Sequence, residues 1–190
     1  MVVISPLSEG ASSHLSTRLH SYDVFLSFRG LDTRRNFTDH LYKMLIDSNF
    51  TIFLDEEEIE TGEDLKPELE NAIKASRASI VVLSKNYASS TWCLDELVMI
   101  LEQRRNSNHI VIPIFHHVEP TDVRKQQNSF GIAMAKHKQR MEAETNVEEK
   151  SRLARKIEIW GRALKEVSNL KGMDSKGRDH PPLQAATIHH

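Results

Sequence analysis

An α/β fold with a central parallel sheet flanked by helices is the class this chain predicts, on three observations. Four short apolar runs alternate with segments whose apolar residues recur at three and four positions, the pattern of strands joined by crossover helices. One run, Ser79 to Ser84, is continuously apolar, as a strand covered on both faces must be. Finally, 190 residues with 39% hydrophobic content suffice for one well-buried domain plus loose ends.

The elements follow in order. Tyr22 to Phe28 is a strand closed by Arg29-Gly30, and Arg34 to Ser48 is a helix with Phe37, Leu41, Met44 and Leu45 on one face. Thr51 to Leu54 is the second strand. The loop Asp55 to Asp64 holds seven acidic residues in ten, and its one sizeable apolar side chain is Ile59. Leu65, Leu69 and Ile73 mark the next helix, and Ser79 to Ser84 is the third strand. A helix over residues 92 to 105 leads to a strand from His109 to Phe115, where Pro113 implies an edge position or a local break in the ladder. Val118 to Asp122 reads as a turn into a short helix, and Ser129 to Arg140 as a weakly patterned one. Leu153, Ile157, Trp160, Leu164 and Val167 define a long closing helix over Glu148 to Leu170, stopped at Gly172. Residues 1–20 read as a flexible segment, 21–172 as the folded domain and 173–190 as a disordered tail.

Composition excludes several functions. With 25 basic against 27 acidic residues the net charge is -2, so no basic field recommends nucleic acid or an anionic membrane as partner. No run reaches transmembrane length, and residues 1–20 lack the basic and long apolar regions of a signal peptide. The one cysteine, Cys93, excludes an internal disulfide and suits a reducing compartment. Neither His116-His117 nor His189-His190 has metal-site spacing, so no metal is expected.

In open parallel sheets ligands bind beyond the carboxyl ends of the strands. Three segments meet there: Phe28 to Asp32, the acidic loop, and Tyr87 to Glu96. Trp92 and Glu96 lie one turn apart on the helix flank, where a ring and a carboxylate can grip an aromatic group and stabilise a cation. The bland alternative is a boundary Trp beside a solvated Glu. Asp95 lies a further 100° around an ideal helix, away from that stripe. Arg29 offers a fork of donors for phosphate or carboxylate, Gly30 permits close backbone approach, and Asp32 is placed to cap the next helix; a tight turn is the alternative. A single glycine is too few for a P-loop or dinucleotide fingerprint. A phosphate-accepting receiver domain would need acidic residues where this chain has Ser27-Phe28 and Ser84.

Tyr22-Asp23-Val24-Phe25-Leu26-Ser27-Phe28-Arg29-Gly30-Leu31-Asp32-Thr33-Arg34, Tyr87-Ala88-Ser89-Ser90-Thr91-Trp92-Cys93-Leu94-Asp95-Glu96-Leu97 and Val111-Ile112-Pro113-Ile114-Phe115 resemble the signature blocks of plant Toll/interleukin-1 receptor (TIR) domains. The resemblance runs from about Tyr22 to Gly172. It implies a flavodoxin-like sheet and an NAD+-cleaving activity, NAD+ glycohydrolase or ADP-ribosyl cyclase in type, switched on by self-association in plant immune defence and cell death. The family's catalytic glutamate falls on Glu96, and Phe28, Arg29, Gly30, Asp32, Ile59 and Trp92 fall on the cleft that takes NAD+ or NADP+ as substrate. No permanently bound cofactor is implied. The partners implied are further TIR domains, including those of other immune receptors, and the location is the cytoplasm, with the nucleus a second expectation. The chain would be a TIR-only protein or a piece of a larger receptor. Leu31 departs from the usual Glu of its block, and Asp39-His40 departs from the family's common Ser-His on a self-association surface. A pure adaptor working through TIR-TIR contacts is the rival function.

Cleavage of the nicotinamide bond suits a lone carboxylate. Nicotinamide is cationic in NAD+ and departs neutral, so no general acid is needed, whereas an ordinary glycosidase must protonate an alkoxide. Glu96 would stabilise charge on the ribose while Trp92 and Phe28 confine the rings.

Overall fold

A computed structural model describes residues 20–54, 67–175 and 179–180. Its strands are β1 (Tyr22–Phe28), β2 (Ile52–Leu54), β3 (Ser76–Leu83), β4 (Ile110–Phe115), β5 (Gly172–Asp174) and β6 (Asp179–His180). They form one sheet in the order β2-β1-β3-β4-β5-β6, in which the first five are parallel and β6 returns antiparallel. The helices are α1 (Gly30–Thr33), α2 (Asp39–Asp47), α3 (Pro67–Lys74), α4 (Thr91–Ser107), α5 (Pro120–Lys125), α6 (Asn128–Ala143) and α7 (Val147–Val167). A wide π-helical turn, Arg34–Thr38, joins α1 to α2.

The four expected parallel strands are present, and the sheet continues beyond them. Gly172 does not stop the last helix. α7 ends at Val167, where Ser168 donates its hydroxyl to the Lys165 carbonyl at 2.9 Å, and Gly172 opens β5. A Cβ at Gly172 would lie 2.6 Å from the Pro113 carbonyl oxygen, so only glycine lets β5 lie this close to β4. Met173 and Asp174, assigned to the tail by composition, are therefore strand residues. Pro113 is not at an edge. β4 pairs with β3 along its length, while its ladder to β5 starts only at Ile114, one residue past the missing donor.

Strand alternation divides the core in two. Phe25, Val81, Leu83, Val111 and Phe115 face a layer built from α3, α4, α5, α6 and α7, centred on Leu97, Phe130, Trp160 and Leu164. Val24, Leu26, Phe28, Ile80, Val82 and Ile114 face the other way, toward Phe37, Leu41 and Leu45 of the turn and α2. Coverage is uneven. No α2 residue is fully buried, and Met44, expected on its apolar face, is 63% exposed. On the same face Ile110 is exposed at the start of β4.

Two histidines are built into the thicker layer. His109 at the base of the sheet shares a 2.7 Å hydrogen bond with the buried Ser79 hydroxyl, and His137 on α6 donates from Nε2 to the Ala88 carbonyl at 2.8 Å. Burial pushes both pKa values below the usual 6.5. The unfolded chain then takes up protons first as pH falls, so stability that is complete above about pH 6.5 is lost as pH drops through the lowered values. Thermal melts should give a lower Tm at about pH 5.5 than at about pH 7.5, with the drop reduced in His109→Gln. A Tm that is flat over that interval would remove the histidines from the stability account.

Candidate functional site at the carboxyl rim of the sheet

The start of α4 fixes the site. Ser90 is the N-cap, its hydroxyl accepting from the Cys93 amide at 3.2 Å, and the helix runs from there against the sheet. Its buried arc holds Trp92, Cys93, Leu94, Glu96, Leu97, Ile100 and Leu101. The Trp92–Glu96 stripe, expected at the flank, is inside this arc, because α4 is packed against the sheet on one side and against α3 and α7 on others. Glu96 is 2% exposed and Trp92 8%. Trp92 belongs to the hydrophobic core.

A buried carboxylate is tolerable only with hydrogen-bond partners. Ser27 on β1 donates to Glu96 Oε2 at 2.6 Å, and the Ser27 hydroxyl also lies 3.0 Å from the Tyr87 hydroxyl, which contacts the Cys93 carbonyl at 3.0 Å. Burial, followed by the electrostatic influence of Cys93 and Glu96, holds the Tyr87 phenol well above the usual tyrosine range, so it keeps its proton. Sequence reasoning gave neither Ser27 nor Tyr87 a role. The available signal was a hydroxyl in the middle of an apolar strand, in register with inward-facing Phe25.

Two of the three expected rim segments meet. Asp32 joins them: it accepts from the Ser84 hydroxyl at 2.7 Å, the Asn86 amide at 2.9 Å and the Asn86 side chain at 3.1 Å. It does not cap a helix. Asp32 lies inside α1, and its carboxylate clamps the loop after β3 to the loop after β1. A second tie runs from the Cys93 thiol to the Phe28 carbonyl at 3.6 Å. Arg29 precedes α1, with its Nε 3.8 Å from Asp32 and its side chain 21% exposed, which leaves a cation at the rim. Gly30 opens α1. The Phe28 ring is on the opposite face of the sheet from Trp92 and Glu96, under the Arg34 guanidinium at 5.6 Å, so Phe28 and Trp92 do not confine one ligand between them. Ile59 and the acidic loop lie outside the described residues.

His116 is a further rim residue, one that the sequence reading weighed only as a metal ligand. Its ring packs on Phe37 at 4.8 Å and on His117 at 4.3 Å, and burial, then the His117 charge, lower its pKa while Asp32 pulls it up. Asp95, turned away from the stripe as its helical position implies, is also engaged: it accepts from Trp160 Nε1 at 2.7 Å and from Lys156 Nζ at 2.8 Å, tying α4 to α7. Among the described residues no group of three His, Cys, Asp or Glu is arranged to hold a metal. No described helix is long and apolar enough to cross a membrane.

Fold and site together define a doubly wound α/β domain carrying a buried, hydrogen-bonded glutamate at the carboxyl rim of its first strand. The chain belongs to the TIR domain family, whose profile matches residues 21–181 and so takes in β5 and β6, beyond the boundary expected at 172. It is 48% identical over 166 residues to the disease resistance protein RPV1 of Vitis rotundifolia, covering 85% of this chain and 11% of that protein. It is 45% identical over 162 residues to the TMV resistance protein N of Nicotiana glutinosa, covering 85% of this chain and 13% of that one. The chain thus spans about a tenth of the length of these relatives. Among solved structures, the TIR domains of the activated Roq1 resistosome directly recognizing the pathogen effector XopQ match with a TM-score of 0.68 and 44% identity, over 81% of this chain and 87% of theirs.

Trp92→Ala empties a core site and should cost about 3–5 kcal/mol, read as a Tm lower by roughly 10 °C. Asp95→Asn leaves Lys156 facing an amide and should cost about 1–2 kcal/mol. Calorimetry decides both. Wild-type melting of either variant contradicts the packing described.

Proposed function

We propose that this TIR domain cleaves the nicotinamide glycosidic bond of NAD+, or of NADP+, with Glu96 as the catalytic carboxylate. The observation that carries the reading is the placement of Glu96 at the carboxyl rim, oriented by a 2.6 Å hydrogen bond from Ser27. As the bond to nicotinamide lengthens, its electron pair leaves with the ring, the ring departs neutral, and positive charge grows on the ribose. A carboxylate in a site of low dielectric stabilises that charge strongly. Water then attacks the ribose carbon and releases a proton, giving ADP-ribose; attack by the adenine of the same molecule gives a cyclic product. Arg29 is the rim cation for the pyrophosphate. Trp92 contributes by fixing the first turn of α4 and not as an exposed platform.

The activity belongs to a plant immune signalling chain of the cytoplasm, and its partners are other TIR domains, copies of this one among them. The TIR domains of the Roq1 resistosome, named as part of an activated assembly, support self-association as the activating event. Ile59, the apolar residue of an otherwise acidic loop, is the expected contact.

A second reading, a non-enzymatic adaptor acting through TIR-TIR contacts, is favoured by the burial of Glu96 and Trp92. Chromatography of NAD+ incubated with the purified chain separates the two. Enzyme predicts nicotinamide release whose rate per molecule rises with protein concentration, and a loss of about a hundredfold or more in Glu96→Gln. The glutamine keeps the volume and can still accept from Ser27, so Tm should stay within a few degrees of wild type. No nicotinamide at any protein concentration leaves the adaptor.

A further inference from the structure

We propose that Ser27, with Tyr87 behind it, is a positioning residue that orients the Glu96 carboxyl group. Three close oxygen contacts lie in a row within the protein: Glu96 Oε2 to the Ser27 hydroxyl at 2.6 Å, Ser27 to the Tyr87 hydroxyl at 3.0 Å, and Tyr87 to the Cys93 carbonyl at 3.0 Å. With Glu96 ionised only the Ser27 and Tyr87 hydroxyls supply hydrogens to this row. The carboxylate takes the one on Ser27. Of the remaining contacts, the Cys93 carbonyl lies in the first turn of α4 and has the backbone amide four residues on as its helical donor. The Tyr87 hydroxyl donates to the Cys93 carbonyl, and its oxygen lies beside Ser27 at 3.0 Å, where it fixes the place of the serine whose own hydrogen goes to Glu96.

Burial makes the row matter. Ser27 is 1% exposed, Tyr87 0% and Glu96 2%, so water does not replace a hydroxyl removed from it. Other charged groups near α4 are already occupied. Asp95 holds Lys156 and Trp160, Glu70 and Lys74 on α3 pair with each other, Arg29 faces Asp32 at the end of β1, and the raised phenol of Tyr87 stays neutral. Cys93, on the same helix, directs its thiol to the Phe28 carbonyl. Ser27 donates its hydroxyl to the Glu96 carboxylate from within this buried setting.

The kinetic consequence rests on the NAD+-cleaving reading; the titration does not. Carboxyl carbon NMR of the glutamate-labelled full chain, with the Glu96 signal identified by its loss in Glu96→Gln, reports the pKa directly. Loss of a charge-assisted bond predicts that Ser27→Ala raises it by about one pH unit. Tyr87→Phe should shift it in the wild-type background and leave it unmoved in Ser27→Ala, because Tyr87 reaches Glu96 only through Ser27. Ser27→Cys, close in size and a weaker donor, should fall between serine and alanine and guards against a fold lost in the alanine variant. In NAD+ cleavage the acid limb of kcat should move upward with the Glu96 pKa, with KM little changed.

An unmoved Glu96 titration in both Ser27 variants overturns the proposal whatever the enzyme does. Shifts that add fully in the double variant overturn the part given to Tyr87. Titration shifts as predicted, in a protein that releases no nicotinamide, uphold the hydrogen-bond row and defeat the NAD+-cleaving reading alone.

Discussion

Two adjacent carboxylates on one helix set the arrangement of everything near the site. Asp95 and Glu96 differ by one helical step, so their side chains leave α4 about 100° apart. One points to α7, where Trp160 and Lys156 take it, and the other to β1, where Ser27 takes it. Neither can be satisfied unless α4 has a single rotation about its axis. A slip by one residue would bury Asp95 against β1 and strand Glu96 between helices, and a buried charge left without a partner costs far more than a shifted apolar contact. Hydrophobic packing alone tolerates small rotations of a helix with so wide a buried arc. The polar pair does not.

The same logic explains why the loops at the rim hold their shape. Backbone groups at strand ends have no ladder to satisfy them. Asp32 answers for the loop after β3 by accepting from Ser84 and Asn86, while Cys93 reaches back to the Phe28 carbonyl. β1, between β2 and β3 in the sheet, is thus bound to the segment that carries Glu96 by contacts on both sides of its last residues. Under the proposed NAD+ cleavage, a site that stabilises a developing charge would work by not having to reorganise, and these ties supply that rigidity.

How much of this was legible in the sequence depended on whether the signal was periodic or pairwise. β1, β3, α4 and α7 follow from apolar spacing, and the meeting of Phe28–Asp32 with Tyr87–Glu96 follows from the rule about strand ends. β5 was missed because a three-residue strand has no period to read and is ordered by neighbours, through Gly172 against Pro113. Trp92 was misplaced since a flank position and a buried one differ only by what packs beside the helix. Asp32 was misread and the partners of Asp95 were missed for a common reason. An exposed-looking acid in sequence carries no mark of its partner, and their partners are fifty or more residues away. Ser27 alone was open to better reading, since a hydroxyl facing inward from a buried strand needs an acceptor.

The two faces of the sheet divide the labour unevenly. Glu96, Ser27 and Tyr87 lie on the face buried under five helices, where the dielectric is low and the hydrogen-bond row is shielded from water. Phe28 and Phe37 lie on the face that α2 covers thinly, with His116 packed on Phe37, and Met44 and Ile110 remain open to solvent there. A carboxylate placed on the thin side would be hydrated and would stabilise a nearby cation weakly. Placed on the thick side, it keeps its field but depends on neighbours for its charge. On the proposed reading, the burial that would give Glu96 its strength is therefore what calls for a hydroxyl on β1.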